Sequence, residues 1–199
     1  VFNKVVNTVW NVLEFYRMYA DKIIVPGVEI PLESNWSEGG TLDKWILAKL
    51  QELIKEVTGN LDGYRLAEAS RPIQNFVTEL SQWYVRRSRE RLKDEDPDLM
   101  KDRQAAITTL GYTLLTLSKL MAPFTPFLSE RIYKEVGGKL ESVHLESWPE
   151  VDQGYVNEQV LSNMARARKI VEMGLSLRKE AGVKVRQPLS KLEYGPFLP

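Results

Sequence analysis

From Phe2 to Gly182, apolar residues recur at helical spacing, and run after run is closed by proline or glycine. That periodicity confines the chain to packed helices. A sheet would need several alternating stretches, and only one is visible, VKVRQPLSKLEY after Gly182. The expected fold class is therefore all-α: a helical bundle with a short extended C-terminal tail. Helices are expected over 2–21, 42–58, from Asp62 onward, 97–121, 126–136 and 154–181. A connection without regular structure is expected over 22–40 and an extended stretch over 139–153. Thr41 reads as an N-cap, and Asp96-Pro97 and Thr125-Pro126 as cap-then-proline starts. Gly59 reads as a helix end, and Trp148-Pro149 as a lid over helix ends. Pro72 must kink its helix or open a new one.

The most informative run is Asn75 to Lys93, NFVTELSQWYVRRSRERLK. Its first half is apolar at helical spacing. Its second half carries Arg86, Arg87, Arg89, Arg91 and Lys93, and the charge inverts at Asp94-Glu95-Asp96. Such a run is either a solvated face or a surface that holds a polyanion. On a uniform helical wheel, Ile73, Phe76, Leu80, Trp83 and Tyr84 point inward, with Arg87 among them and Arg91 near the edge. Arg87 is therefore expected to be an internal anchor paired with a buried carboxylate, since an unpaired buried charge is very costly. Arg86, Arg89 and Lys93 are free for phosphates, which the planar guanidinium fork suits. The first helix adds a polar arc of Asn3, Lys4, Asn7, Asn11, Glu14 and Arg17, with Trp10 at its edge. Asparagine is a poor helix former, so three on one face invite a hydrogen-bonding partner.

Composition limits what else is possible. The 199 residues hold 27 basic and 27 acidic side chains, so any polyanion site is a local patch. No cysteine is present and His144 is the one histidine, which leaves no metal cluster and no nucleophilic triad. His144 itself reads as structural. No apolar run approaches a membrane span. No glycine-rich phosphate loop or Walker signature occurs, so no catalytic or cofactor-binding residue is assigned. The chain opens on a helical pattern, without signal or transit peptide, and closes on GPFLP, so it reads as part of a longer protein. Arginine, splayed-base partners such as Trp and Tyr, and amides together suit RNA.

Six stretches, in order, resemble the anticodon-binding domain of class I aminoacyl-tRNA synthetases, most closely isoleucyl-tRNA synthetases. They are NKVVNTVWNVLEFYRMYA from Asn3, LDKWILAKL from Leu42, FVTELSQWYVRRSRER from Phe76, MAPFTPFLSERIY from Met121, SVHLESWPEVD from Ser142 and RKEAGVKVRQPLSKL from Arg178. The resemblance implies a helical domain over 1–181 that receives the anticodon arm of a tRNA, and a connection from 182 to 199 toward a C-terminal region. It implies docking of tRNA(Ile), a role that position and chemistry assign to Lys4, Asn7, Trp10, Asn11 and Arg17 on the first helix and to Arg86, Arg89 and Arg91 on the basic one. It further implies a cytoplasmic parent, an isoleucine-tRNA ligase, whose catalytic and C-terminal domains are partners of this module. ATP-dependent aminoacylation would belong to that catalytic domain, whose HIGH and KMSKS motifs are absent here. The alternatives are the same module of a valyl or other class I synthetase, or a helical interaction scaffold without an RNA role.

Overall fold

The computed structural model describes residues 2–23, 39–93 and 96–195, with side chains from Val5 to Ala20 in the first segment. Most of the expected 22–40 connection lies outside the described residues. Contacts divide the chain into two compact units, Val1–Val156 and Asn157–Pro199.

The first unit is built from α1 (Phe2–Ile23), α2 (Thr41–Asp62), α3 (Leu66–Glu79), a π-helical turn (Leu80–Val85), α4 (Arg86–Lys93), α5 (Met100–Met121) and α6 (Pro126–Glu135). No strand occurs among the described residues. The most apolar helix is central, as its composition demands: α5 contacts α1, α2, α4 and α6. Ala106, Ile107, Leu110, Leu114 and Leu117 on α5 are fully buried. Gly111 lets α1 approach closely, because a Cβ there would sit 3.1 Å from the Tyr16 ring.

Several local expectations need correcting. Helix α2 is capped by Gly40 rather than Thr41: the Gly40 N–H donates to Asp43 Oδ2 at 2.8 Å. It continues through Gly59 to Asp62, so α3 starts at Leu66 instead of Asp62. The turn between them is closed by the Arg65 guanidinium, which donates to Asn60 Oδ1 at 3.0 Å and to the Gly59 carbonyl at 3.2 Å. Pro72 sits inside α3. Asp96 does act as a cap, accepting from Asp98 N at 3.0 Å, but it opens a 3-10 turn that leads into α5. Leu66 and Phe127, expected inward, are exposed, Phe127 by 91%. After α6 the chain makes two 3-10 turns, at Val143–Leu145 and Gln153–Tyr155. The Trp148 indole N–H donates to Thr58 Oγ1 of α2 at 2.8 Å. The His144 backbone N–H donates to Ser142 Oγ at 3.2 Å.

α3, the π turn and α4 form one continuous rod, because the backbone stays right-handed helical at both joins. The π turn sets the phase of everything after it. In a uniform helix Arg87, seven residues beyond Leu80, falls within about 20° of it. A π turn closes on the fifth residue and takes in one residue more, which rotates the following helix by about 100°. The buried line therefore runs Phe76, Leu80, Tyr84, Ser88, Leu92, in unbroken steps of four. Arg87 is carried outward, and Arg91 becomes the inner arginine.

The second unit holds α7 (Glu158–Glu180), capped by Asn157 Oδ1 accepting from Val160 N at 2.9 Å. No residue of α7 is buried. Past α7 the backbone reverses at Gly182, whose φ of 66° belongs to the left-handed region that glycine tolerates. The alternating tail is not a strand. It turns and comes back to α7, with Leu192 against Gly174.

Candidate nucleic-acid interface

Helix α1 presents Asn7, Trp10 and Asn11 on one exposed face, at the three-and-four spacing that aligns side chains along a helix. Trp10 is 40% exposed, a large ring for a surface position. Lys4 lies in the first turn of the same helix, its side chain outside the described residues. Arg17 is exposed but already engaged: its Nη1 is 3.1 Å from Glu14 Oε1, and its Nε is 3.1 Å from Glu135 Oε2 on α6. It therefore ties α1 to α6 and adds little free positive charge.

The arginines of α4 separate into three situations. Arg86 and Arg89 are exposed. Arg89 reaches back to α1, where its Cζ stands 5.9 Å from the centroid of the Phe15 ring. Phe15 in turn packs on Tyr19, with centroids 5.1 Å apart. Phe15 is one helical turn beyond Asn11, so this contact joins the α4 cations to the amide face of α1. Arg87 is exposed and lies over Trp83, Cζ to centroid 4.3 Å. It is a surface cation on an aromatic platform, not the internal anchor expected from a uniform wheel.

Arg91 is that anchor. Its side chain is 16% exposed and is held by two carboxylates. Nη2 and Nη1 donate to Asp43 Oδ2 and Oδ1 at 2.6 and 3.0 Å, while Nε and Nη2 donate to Asp102 Oδ2 and Oδ1 at 2.6 and 2.7 Å. Asp43 is fully buried, and the Tyr84 hydroxyl lies 2.6 Å from its Oδ1 and 3.0 Å from the Ala106 carbonyl. Burial pulls the Arg91 guanidinium down, but the hydrogen bonds it donates to Asp43 and Asp102 outweigh it and hold the group above its ordinary range. Burial, reinforced by the Asp43 charge, pushes the Tyr84 phenol well above its usual value. With its donors committed to the interior, Arg91 fixes the rod that displays Arg86 and Arg89.

Phe15, Tyr84, Asp43 and Asp102 were not visible as site residues in the sequence. Asp43 and Arg91 are 48 positions apart, and no local pattern pairs them. The Trp83–Arg87 stack, by contrast, has the four-residue spacing of a helical pair and was available. Among the described residues, no group of three or more His, Cys, Asp or Glu could hold a metal, and no helix is long and apolar enough to cross a membrane.

The α4 cations, which reach α1 through the Arg89–Phe15 contact, and the exposed Asn7, Trp10 and Asn11 of α1 have the chemistry to take RNA phosphates and unstacked bases. Residues 43–193 match the family model described as the anticodon-binding domain of tRNA ligase. The chain is 42% identical over 194 residues to the isoleucine–tRNA ligase of Clostridium kluyveri, a match covering 95% of this chain and 18% of that protein. It is 38% identical over 188 residues to the enzyme of Deinococcus radiodurans, covering 94% and 17%, and 39% identical over 196 residues to that of Methanopyrus kandleri, covering 96% and 18%. The chain thus spans under a fifth of the length of these relatives. By the extent of the family match and the helical architecture that carries it, the chain belongs to the anticodon-binding domains of tRNA ligases.

Proposed function

We propose that this chain docks the anticodon arm of a tRNA on the surface where α4 meets α1, as a module of an isoleucine–tRNA ligase. The names of the relatives favour tRNA(Ile) as the partner. In that reading the parent protein works in the cytoplasm. Its catalytic domain, using ATP, joins isoleucine to the tRNA while this module supplies position. The observation that carries the proposal is the Arg89–Phe15 contact, which makes one surface of two elements far apart in the chain. Asn7 and Asn11 offer donors and acceptors to base edges, Trp10 a stacking face, and Arg86 and Arg89 the phosphate contacts. Arg91 acts through the rod and touches no RNA.

Filter binding of the 199-residue chain to an unmodified tRNA(Ile) transcript tests this. With about three to five phosphate contacts, affinity should fall roughly 40- to 500-fold over a fourfold rise in salt. Changing Arg86 and Arg89 together to Glu should abolish retention and leave the helical circular dichroism unchanged. Retention equal to wild type would remove the proposed surface.

A further inference from the structure

Charge is unevenly divided between the two units. Val1–Val156 carries 19 basic and 23 acidic residues, a net −4, and the residues from Asn157 onward carry 8 basic and 4 acidic, a net +4. A chain neutral overall thus contains a compact cationic unit. Two of that unit's cations are paired on the surface, Lys169 with Glu172 at 3.3 Å and Lys191 with Glu193. Arg166, Lys179, Lys184 and Arg186 have no carboxylate partner among the described residues.

Three of those four cluster where α7 ends, and the backbone there is held in place. The Arg178 Nη1 donates to the carbonyls of Lys184 and Gln187 at 3.0 and 2.9 Å. The Gln187 N–H donates to the Lys184 carbonyl at 3.0 Å, closing a turn with Val185 and Arg186 at its corner. Val183 N–H donates to the Arg178 carbonyl at 2.9 Å, so the turn is tied to the last turn of α7 by backbone and side chain alike. An ordered backbone lowers the entropy cost of capturing a ligand. Arg178 therefore acts as a brace, and Lys179, Lys184 and Arg186 stand exposed around it.

We propose that this braced turn is a second polyanion-contact site, which takes the phosphate backbone of the same RNA that the first unit docks. It rests on the tRNA reading for the identity of the polyanion. The turn contains no aromatic ring, so it holds phosphate charge and reads no base. Its role is affinity and register, separate from any selection made on α1.

The test uses the 199-residue chain and the tRNA(Ile) transcript in filter binding between 50 and 200 mM salt. Changing Lys184 and Arg186 together to Gln removes two phosphate contacts. The expected result is a slope of log affinity on log salt shallower by about 1–2, with affinity roughly tenfold lower in mid-range. Circular dichroism equal to wild type accompanies it, since both side chains are exposed. Wild-type affinity and slope would overturn the proposal. Loss of poly-L-glutamate binding with tRNA binding unchanged would give the turn to an acidic protein and also overturn it. If only the α4 variant, Arg86→Glu with Arg89→Glu, loses the tRNA, the turn proposal falls and the docking surface stands. If only the turn variant loses it, the reverse holds. A wild-type chain that retains no tRNA at 50 mM removes both.

Discussion

At the residue scale, Arg87 and Arg91 show how little chemistry alone says about role. They are four positions apart in one helical rod and identical in kind, yet one rests on Trp83 in solvent and the other joins two carboxylates inside. Arg91→Ala should therefore cost about 3–5 kcal/mol in urea unfolding, because Asp43 would be left buried without its cation. Arg87→Ala should cost about 0.5–1 kcal/mol, the worth of an exposed cation over a ring. Equal losses would refute the assignment. From the sequence, an inner arginine with a buried carboxylate partner was legible, because an arginine on an apolar rod demands one. Its position was not, since it depends on a backbone irregularity and on Asp43 in another helix.

At the element scale, the positions of helices were well marked by period, proline and glycine, and their ends less so. Gly59 looked like a terminus but lies inside α2, and the stop is made by the Arg65-closed turn instead. The π turn left no visible mark, because LSQWYV reads as ordinary helix. Deleting Gln82, an exposed residue in that turn, should let the rod revert to uniform α-helix and bring Arg87 inward. The expected result is a loss of several kcal/mol in unfolding free energy, far beyond Gln82→Ala, which stays within about 0.5 kcal/mol. A deletion as mild as the substitution would show that the turn does not set the phase.

The joint between α5, α6 and the Val143–Leu145 turn is a separate electrostatic element. Glu130 accepts from Val143 N–H at 2.9 Å and from Ser142 Oγ at 2.8 Å, and these bonds hold its carboxyl below the ordinary range. Burial pushes the Glu146 carboxyl up, but hydrogen bonds from Lys119 and Tyr133 outweigh that and lower it. A carboxyl depressed in the folded state stabilises above its unfolded value, about 4.3, and that stability is lost as pH falls through the folded value. The melting temperature should accordingly decline as pH drops from about 5 toward 3. Glu130→Gln with Glu146→Gln should flatten that decline, and an unchanged acid limb in the double variant would place the effect elsewhere.

At the scale of the whole molecule, the helical class followed from periodicity, whereas clustered arginine left a solvated face and a polyanion surface both open until the resemblance to synthetase domains chose between them. The separation of Asn157 onward as its own unit did not, because α7 shows apolar spacing like any bundle helix and yet buries none of it. Charge, neutral in total and opposite in the two units, has a consequence for encounter rates. At low salt, where the Debye length grows from about 8 Å toward about 30 Å, an approaching tRNA responds to the net charge of a unit more than to a local strip of arginines. The −4 unit then repels it and the +4 unit attracts it. Capture should begin on the α7 unit and settle afterwards on the α1–α4 surface, so the two units govern different steps. In stopped-flow mixing, the association rate of the wild-type chain should fall as salt is added. With Arg166, Lys179, Lys184 and Arg186 changed to Gln, it should become flat or rise with salt, because screening then relieves repulsion instead of weakening attraction.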